Sequence, residues 1–328
     1  MSVQYLSEDA YLIDRHFDDF DNLCSALGTW NLDFRQIEAG TFAGRLLISG
    51  TPNMQFTRAQ LGRRLIQKGA PPENLITFGL LAKPDIQIYW RGQYASGNQL
   101  FIFPEGGELD AVSQPGFDVL LVSLSKNILG MTCEKLQLPV PDKLIAQKEV
   151  IDCDFQQLDR IRQSLLHREQ LLKQPGAAHL PILLGEIERD MARGLTSLIA
   201  ADKCSRSKPM MNRRAMAISR ALDYMEECPV RDRNLGEMSE YTQVSQRTLE
   251  YAFKERFQMT PKSFMLASRL NRAKKALLNS DPKDSKVHEL AKQSGFRHMS
   301  QFSTDYRKMF GELPSQTLAR SAAKPLQL

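Results

Sequence analysis

A pattern of apolar residues near the C-terminus occurs twice, and it constrains the fold more than any other feature. In each copy, three apolar side chains spaced by four residues lie on one side of a helix, and a proline follows four residues later. The copies are Leu249, Phe253, Phe257 and Pro261, and Phe302, Tyr306, Phe310 and Pro314. The constant offset of 53 residues predicts a duplicated helical unit.

The second copy carries a polar surface and clear helix-stop signals. Gly311 stands where a helix C-cap glycine belongs, and Pro314 follows three residues later. The hydrogen-bonding residues on the other sides of this helix are Ser300, Ser303, Thr304 and Arg307. A short helix with one aromatic side and one small, polar, cationic side is suited to reading a nucleic-acid groove.

Helix signals around the two copies repeat the same arrangement. A short helix over 234–241, with Asn234 as its N-cap, precedes a four-residue turn and a second helix capped by Ser245. Two short helices joined by a tight turn form the helix-turn-helix pattern. A longer helix starts at Pro261 and runs to residue 279, and a helix over 287–293 precedes the second copy. The sequence therefore predicts two such units joined by one central helix.

The distribution of charge separates this region from the rest of the chain. Residues 1–200 hold 19 Lys+Arg against 24 Asp+Glu, whereas residues 211–320 hold 20 against 13. A basic C-terminal third joined to a mildly acidic remainder is typical of a nucleic-acid-binding domain attached to a separate body.

The N-terminal part predicts a β-rich domain that binds a small molecule. Residues 1–30 are interpreted as an arm and a helix, and short apolar runs with turn residues between 31 and 125 indicate an all-β sandwich or barrel.

Residues 17–166 contain no histidine, which excludes a His-based metal site, and no cofactor is expected. Five arginines could meet an acidic ligand, but they are expected to be solvated; they are Arg45, Arg58, Arg63, Arg64 and Arg91. Candidate pocket-wall residues are Trp30, Phe78, Trp90, Phe101 and Phe103.

Two amphipathic helices follow the predicted β domain. Their apolar stripes are Phe155, Leu158, Ile161, Leu165 and Leu172, and Leu184, Ile187, Met191, Leu195 and Leu198. They could pack on the β domain or on a second copy of the chain. A polar, basic linker is expected over 202–214. The predicted divisions are 1–150, a helical linker and dimerisation segment over 151–210, a DNA-binding domain over 211–320, and a flexible tail over 321–328.

The sequence also limits the compartment. It holds no run of about 18 apolar residues, and its acidic N-terminus lacks the features of a signal peptide. The five cysteines form no C-x-x-C pair, which argues against a disulfide framework and against a cysteine zinc site. We therefore expect a cytoplasmic protein.

Residues 212–320 resemble the AraC/XylS family of bacterial transcription regulators. The matching positions are Ser245, Leu249, Phe253, Lys254, Phe257, Pro261, Arg269, Leu270, Ala273, Leu277, Leu278, Val287, Leu290, Ala291, Gly295, Phe296, Phe302, Tyr306, Arg307, Phe310, Gly311, Pro314 and Ser315. The family layout implies a cupin-like β domain, linker helices and an all-α domain with two helix-turn-helix units, which makes an α+β multidomain protein. Segments 311–318 and 30–42 are similar to the branch that regulates amine and ethanolamine catabolism.

Three positions depart from the family pattern. Gln258 and Gln243 stand where the family has glycine, and both require only mildly strained turn conformations. Ser239 replaces a small alanine, and a hydrogen bond to the backbone one turn back would satisfy it. None of these changes removes the fold.

The function that follows is a ligand-responsive, DNA-binding transcription regulator without enzymatic activity. The resemblance implies activation, RNA polymerase as a partner and a small organic effector, and dimerisation stays open. The alternative is an architectural or repair-associated DNA-binding protein without a sensor. The first predicted DNA-contacting set is Gln246, Arg247, Thr248, Glu250, Tyr251 and Lys254, and the second is His298, Met299, Ser300, Ser303, Thr304 and Arg307. The first helix is expected to discriminate bases more strongly than the second.

Overall fold

The structure is a computed structural model that describes residues 4–7, 10–103, 107–146, 148–173, 180–202, 213–228 and 234–321. Most of the predicted linker over 202–214 and nearly all of the predicted tail over 321–328 lie outside these ranges. The chain divides into two compact units. The first comprises Met1–Asp33, Ala43–Gly62 and Gln67–Pro209, and the second comprises Phe34–Phe42, Arg63–Ile66 and Met210–Leu328.

The N-terminal part is β-rich, as predicted, and its strands form two antiparallel sheets. The strands are β1 Gln4–Ser7, β2 Ala10–Phe17, β3 Asn31–Gln36, β4 Gly44–Thr51, β5 Met54–Leu61, β6 Leu65–Ala70, β7 Leu75–Leu81, β8 Gln87–Trp90, β9 Gln93–Ser96, β10 Gln99–Phe103, β11 Leu109–Ser113, β12 Phe117–Ser125 and β13 Val150–Asp152. The larger sheet has the order β1-β2-β4-β5-β12-β7-β10-β13, and the smaller has the order β3-β6-β11-β8-β9. Along the described strands, neither sheet closes on itself.

The segment interpreted from sequence as an N-terminal arm forms two strands. Strands β1 and β2 extend the larger sheet, with β2 paired to β4 from Tyr11 to Phe17. Helix α1 spans Phe20–Ala26, and the Asp19 side chain caps it by accepting hydrogen bonds from two backbone N–H groups of the first turn. Asp14, in the middle of β2, forms an ion pair with Arg45 of β4. A charged residue at this position interrupts the apolar pattern by which a strand is recognised in a sequence.

Helices cover one face of the larger sheet. These are α2 Lys126–Lys135, α3 Pro141–Ile145, α4 Phe155–Leu172 and α5 Leu180–Ala201. The predicted stripes of α4 and α5 join one core cluster with sheet residues such as Leu120 and Val122. Within the described chain, these helices therefore pack on their own sheet. Phe155 is the exception, because it lies in the first turn of α4 and stays 50% exposed.

The second unit contains the predicted helices, and its last helix was not predicted. They are α6 Arg213–Glu227, α7 Leu235–Thr242, α8 Gln246–Phe257, α9 Pro261–Leu278, α10 Val287–Gln293, α11 Met299–Phe310 and α12 Pro314–Ser321. The side chains of Asn234, Ser245 and Thr260 cap α7, α8 and α9 by accepting a backbone N–H in the first turn. Gly311 ends α11 with φ +79°, as the sequence predicts. No helix in the described part of the chain is both long and apolar enough to cross a membrane.

Each copy of the repeated helical pattern has its own core of contacting aromatic rings. In the first copy, Phe253 and Phe257 of α8 contact each other and Phe264 of α9, with ring centroids 4.4–5.5 Å apart. In the second copy, the rings of Phe296, Phe302, Tyr306 and Phe310 form a continuous chain. Successive ring centroids are 4.6, 5.5 and 4.8 Å apart. The apolar side of each helix is therefore its buried side, as its four-residue spacing predicts.

Gln258 occupies the C-cap of α8 in the left-handed conformation, with φ +58°. Its counterpart 53 residues later is Gly311, which adopts the same conformation at no steric cost. We expect Gln258→Gly to raise the free energy of unfolding by about 1 kcal/mol, because the strain of a non-glycine residue exceeds the extra entropy of glycine in the unfolded chain. Urea unfolding at neutral pH measures this. The control is Gln301→Gly inside α11, which should lower stability by a similar amount. Lower stability in Gln258→Gly would contradict the prediction.

Candidate nucleic-acid interface

Helix α8 begins at a turn that is fixed by local hydrogen bonds. The Ser245 hydroxyl accepts from the Thr248 backbone N–H at 3.2 Å, and Gln243 reverses the chain in the left-handed conformation with φ +57°. The half-buried Ser239 donates to the Val244 carbonyl oxygen at 2.6 Å. This bond runs forward across the turn, not one turn back as the sequence predicts. The turn between α7 and α8 is therefore held without glycine.

The outer face of α8 carries the first predicted DNA-contacting set. Leu249 and Phe253 are buried, and they orient the helix so that its opposite face is open. Thr248 is half-buried, and the exposed members of the set are Gln246, Arg247, Glu250, Tyr251 and Lys254. The helix thus presents a guanidinium, a carboxylate, an amide, a phenol and an ammonium group to solvent. These are the groups that read base edges and hold phosphates.

Tyr251 holds two arginines on this face. The Arg247 guanidinium lies 5.6 Å from the centre of the Tyr251 ring and donates to the phenol oxygen at 3.2 Å. The Arg214 guanidinium, from α6, lies 5.9 Å from the same ring and pairs with Glu255 at 2.8 Å. Each cation–π contact at an exposed site contributes about 0.5–1 kcal/mol. Arg247 is therefore partly ordered in the absence of any partner.

An open cleft of about 490 Å³ lies beside the start of α8. Its lining residues are Arg213, Arg214, Ser239, Glu240, Gln243, Val244, Ser245 and Thr248. Two arginines and a helix N-terminus make this rim attractive to an anion. A DNA backbone that follows the face of α8 would supply such a group.

Helix α11 carries the second predicted set on a smaller surface. Met299 and Ser303 are half-buried, and the exposed members are His298, Ser300, Thr304 and Arg307. The Thr304 hydroxyl already donates to the Ser300 carbonyl at 3.0 Å, and Gln301 donates to Asp305 at 2.8 Å. Arg307 is the long cationic side chain of the set. This face therefore offers fewer uncommitted donors than the face of α8.

The five predicted pocket residues separate into two groups in the first unit. Trp30, Trp90, Phe101 and Phe103 lie together, with centroids of contacting rings 4.8–5.6 Å apart. Phe78 is opposite Ile102 in the β7–β10 pairing and belongs to the helix-covered core. Because neighbours along β10 point to opposite faces, Phe78 lies on the other side of the sheet from Phe101 and Phe103. The described residues contain no group of three or more metal-binding side chains.

Residues 238–320 match a family model described as a helix-turn-helix domain. The chain is 32% identical over 98 residues to a probable thc operon regulatory protein of Rhodococcus erythropolis, which is 30% of each chain. It is 29% identical over 112 residues to the XylDLEGF operon transcriptional activator of Pseudomonas putida, which is 34% of this chain and 35% of that protein. The chain thus spans about a third of the length of these curated relatives. It contains a helix-turn-helix domain of a kind found in transcription regulators.

Among solved structures, the chain is similar to the AraC-like transcriptional activator CuxR. The similarity covers 79% of this chain and 93% of that chain, with 12% sequence identity and a TM-score of 0.43. A probable AraC family transcriptional regulator from Rhodopseudomonas palustris is 32% identical over 32% of this chain, with a TM-score of 0.29.

Sequence reasoning missed Arg213 and Arg214 as members of this face. From sequence alone they fall in the predicted basic linker over 202–214, whereas in the structure they begin α6, and only the packing of α6 against α8 brings Arg214 to the ring of Tyr251. Spacing along α8 alone does identify Arg247 and Tyr251 as neighbours, since they are four residues apart. A side chain from another helix has no such local signal.

Proposed function

We propose that this protein is a sequence-specific, DNA-binding transcription regulator that inserts α8 and α11 into successive major grooves. The observation that carries the proposal is the repetition of one arrangement, in which a short helix buries an aromatic side and exposes a polar side after a tight turn. The match of residues 238–320 to a helix-turn-helix domain supports it. The net positive charge of residues 211–320 favours a phosphate-rich partner.

Helix α9 sets the distance between the two proposed reading helices. It has 18 residues and is therefore about 27 Å long. Successive major grooves on one face of B-DNA are about 34 Å apart. A rigid connector of this length suits two reading helices that enter neighbouring grooves from one side.

The proposed roles follow from the chemistry of each side chain. Arg247 donates two hydrogen bonds to a guanine edge, and Glu250 accepts from a cytosine amino group. Met299 contacts a thymine methyl group, and Arg307 contacts a phosphate. The hydroxyl of Thr304 contributes little discrimination, because the Ser300 carbonyl already occupies its proton.

We expect Arg247→Ala to weaken binding to the preferred site by about 1–3 kcal/mol, which is roughly fivefold to 150-fold, and to relax the preference at one base pair. The physical reason is the loss of a two-pronged contact to a base. The measurement selects a binding site from random DNA with the full chain, then compares its affinity with that of shuffled DNA at fixed salt.

Arg307→Ala serves as the matched control on the second helix. It should weaken binding to selected and shuffled DNA by the same factor and reduce the salt dependence by about one unit. Equal losses on both DNAs for Arg247→Ala would refute the base contact. A wild-type chain that selects no sequence would instead fit an architectural DNA-binding protein.

The β-rich first unit is proposed to sense a small organic effector. The regulator is proposed to activate transcription through contact with RNA polymerase. The support is the buried aromatic group that lies away from the helix-covered core. A thermal-shift screen of the full chain with small amines, alcohols and acids tests effector binding. A ligand that both raises the melting temperature and changes affinity for the selected DNA is the expected result. If no compound does either, the sensing part of the proposal fails.

A further inference from the structure

Four aromatic side chains between the two sheets of the first unit form what we call the indole cluster, namely Trp30, Trp90, Phe101 and Phe103. Trp90 comes from β8 of the smaller sheet, and the two phenylalanines come from β10 of the larger one. The ring of Phe103 stands nearly perpendicular to both indoles, at 5.6 Å from Trp30 and 4.8 Å from Trp90. The cluster is distinct from the core under α4 and α5, which none of its members joins.

Both indole nitrogens of the cluster are buried without a hydrogen-bond acceptor among the described residues. Trp30 is 8% exposed and Trp90 is 2% exposed, and neither Nε1 has a partner. A buried tryptophan N–H ordinarily finds an acceptor, because an unsatisfied buried donor destabilises the folded state. Two such donors that both pack on one ring indicate that an acceptor group completes the site.

Neighbouring polar groups on the same face of the larger sheet are neutral and already satisfied. A row across this face runs in register from Gln55 through Ser123 and Thr77 to Phe103. The hydroxyls of Thr77 and Ser123 lie 2.7 Å apart, and the Gln55 carbonyl oxygen accepts from Thr29 at 3.1 Å. The polar groups of this row are therefore already paired, and the indole N–H groups are the unpaired donors of the cluster itself.

Arg91 is a charged residue that contacts the cluster, and its guanidinium already has other partners. Its guanidinium lies 5.6 Å from the Trp90 ring. It pairs with Glu149 at 2.7 Å and donates to the Glu108 carbonyl oxygen. An anionic ligand would therefore lose its hydration without gaining a free cation, which is costly. A neutral ligand avoids that cost.

We propose that the indole cluster binds a small uncharged carbonyl compound, such as a lactam, lactone or ketone. Its oxygen accepts hydrogen bonds from Nε1 of Trp30 and Trp90, and its apolar ring lies against Phe101 and Phe103. A carbonyl fits better than a hydroxyl or an amine, because the unsatisfied atoms of the cluster are donors only. That this ligand regulates DNA binding rests on the function proposed above, whereas its binding to the cluster does not.

The composition of the chain makes the test direct. The protein has two tryptophans, and both belong to the cluster, so intrinsic tryptophan fluorescence reports on this site. The full chain is titrated with four compounds that contain a saturated ring, namely ε-caprolactam, cyclohexanone, cyclohexylamine and cyclohexanecarboxylate. N-acetyltryptophanamide serves as the control for collisional quenching. We expect a saturable change with the two carbonyl compounds and a linear or absent response with the charged ones.

Trp90→Phe and Trp30→Phe keep an aromatic ring and remove one N–H each. We expect each to weaken ε-caprolactam binding about threefold to tenfold, the effect of one hydrogen bond, with the remaining tryptophan as reporter. No saturable response, tighter binding of the charged compounds, or unchanged affinity in both variants would overturn the proposal. In those cases the explanation of the two N–H groups is a weak hydrogen bond to the aromatic face of Phe103, and no ligand is needed.

The regulatory part is tested separately. Affinity for the selected DNA is measured with and without saturating ε-caprolactam. A change supports a sensor role, and no change overturns that role while the binding site stands. If the chain selects no DNA at all, the proposed function fails, and the fluorescence result is unaffected.

Discussion

Replacing Phe302 with alanine should lower the free energy of unfolding of the helical unit by about 3–5 kcal/mol. Phe302 is 1% exposed and lies in the middle of an aromatic chain. Its ring contacts Phe296 before α11 and Tyr306 one turn further on, at 4.6 and 5.5 Å. Removal of the ring leaves a cavity at the point where α11 is anchored, and the proposed second reading helix should lose its orientation.

Urea unfolding followed by circular dichroism measures this loss. Leu249→Ala, at the matched position of the first copy, should cost about 2–5 kcal/mol, since Leu249 is also fully buried. Phe302→Leu, which keeps most of the apolar volume, is the control and should cost less than about 2 kcal/mol. A loss below 1 kcal/mol in Phe302→Ala would mean that the aromatic chain does not hold the unit together.

The helical unit could be predicted closely from sequence because local signals mark where its helices begin and end. Asn234 and Ser245 cap their helices with bonds that span only three residues, and Gly311 ends α11 through its own backbone conformation. Spacing by four residues then identifies the buried side of each helix. Such signals are local, so they survive without knowledge of the fold. Helix α12, which begins at Pro314, was missed because proline was interpreted only as a stop signal.

The β unit could be predicted less well because strand pairing is not local. The sequence shows that Phe78, Phe101 and Phe103 are apolar strand residues, but not which face each one occupies. The pairing of Phe78 with Ile102 assigns Phe78 to the helix-covered face. A shift of one residue in that register would reverse the assignment. The candidate pocket therefore comprises four of the five predicted residues, without Phe78.

Buried charge in the first unit was also beyond sequence reasoning. Arg45 and Arg58 are not solvated as expected, and both contact Glu169 of α4, at 3.4 and 2.5 Å. Arg58 also pairs with Asp118 at 2.7 Å. Lys173, the C-cap residue of α4, donates to the same Glu169 carboxylate. Because the β4–β5 hairpin, β12 and α4 are far apart in sequence, no spacing rule connects these residues.

We expect Glu169→Ala to lower the free energy of unfolding of the β unit by about 3 kcal/mol. The Glu169 side chain is 1% exposed and holds three cations that are each 17–34% exposed. Breaking a buried pair from one side costs about 3–5 kcal/mol, and the lower end applies because water reaches the remaining cations. Lys126→Ala, which removes an exposed ion pair with Asp142, is the control and should cost less than 1 kcal/mol.

The dependence of this contribution on pH distinguishes charge from packing. Burial raises the pKa of Glu169, but hydrogen bonds from Lys173 and Arg58 outweigh it, and the net pKa lies below the ordinary value of 4.5. A carboxyl group with a lowered folded-state pKa stabilises the protein above its unfolded pKa, and this stability is lost as pH falls through the folded pKa. The difference in stability between wild type and Glu169→Gln should therefore be full at pH 7 and shrink below pH 4.5. Urea unfolding across this range measures it, and a difference that is constant with pH would show that Glu169 acts by packing alone.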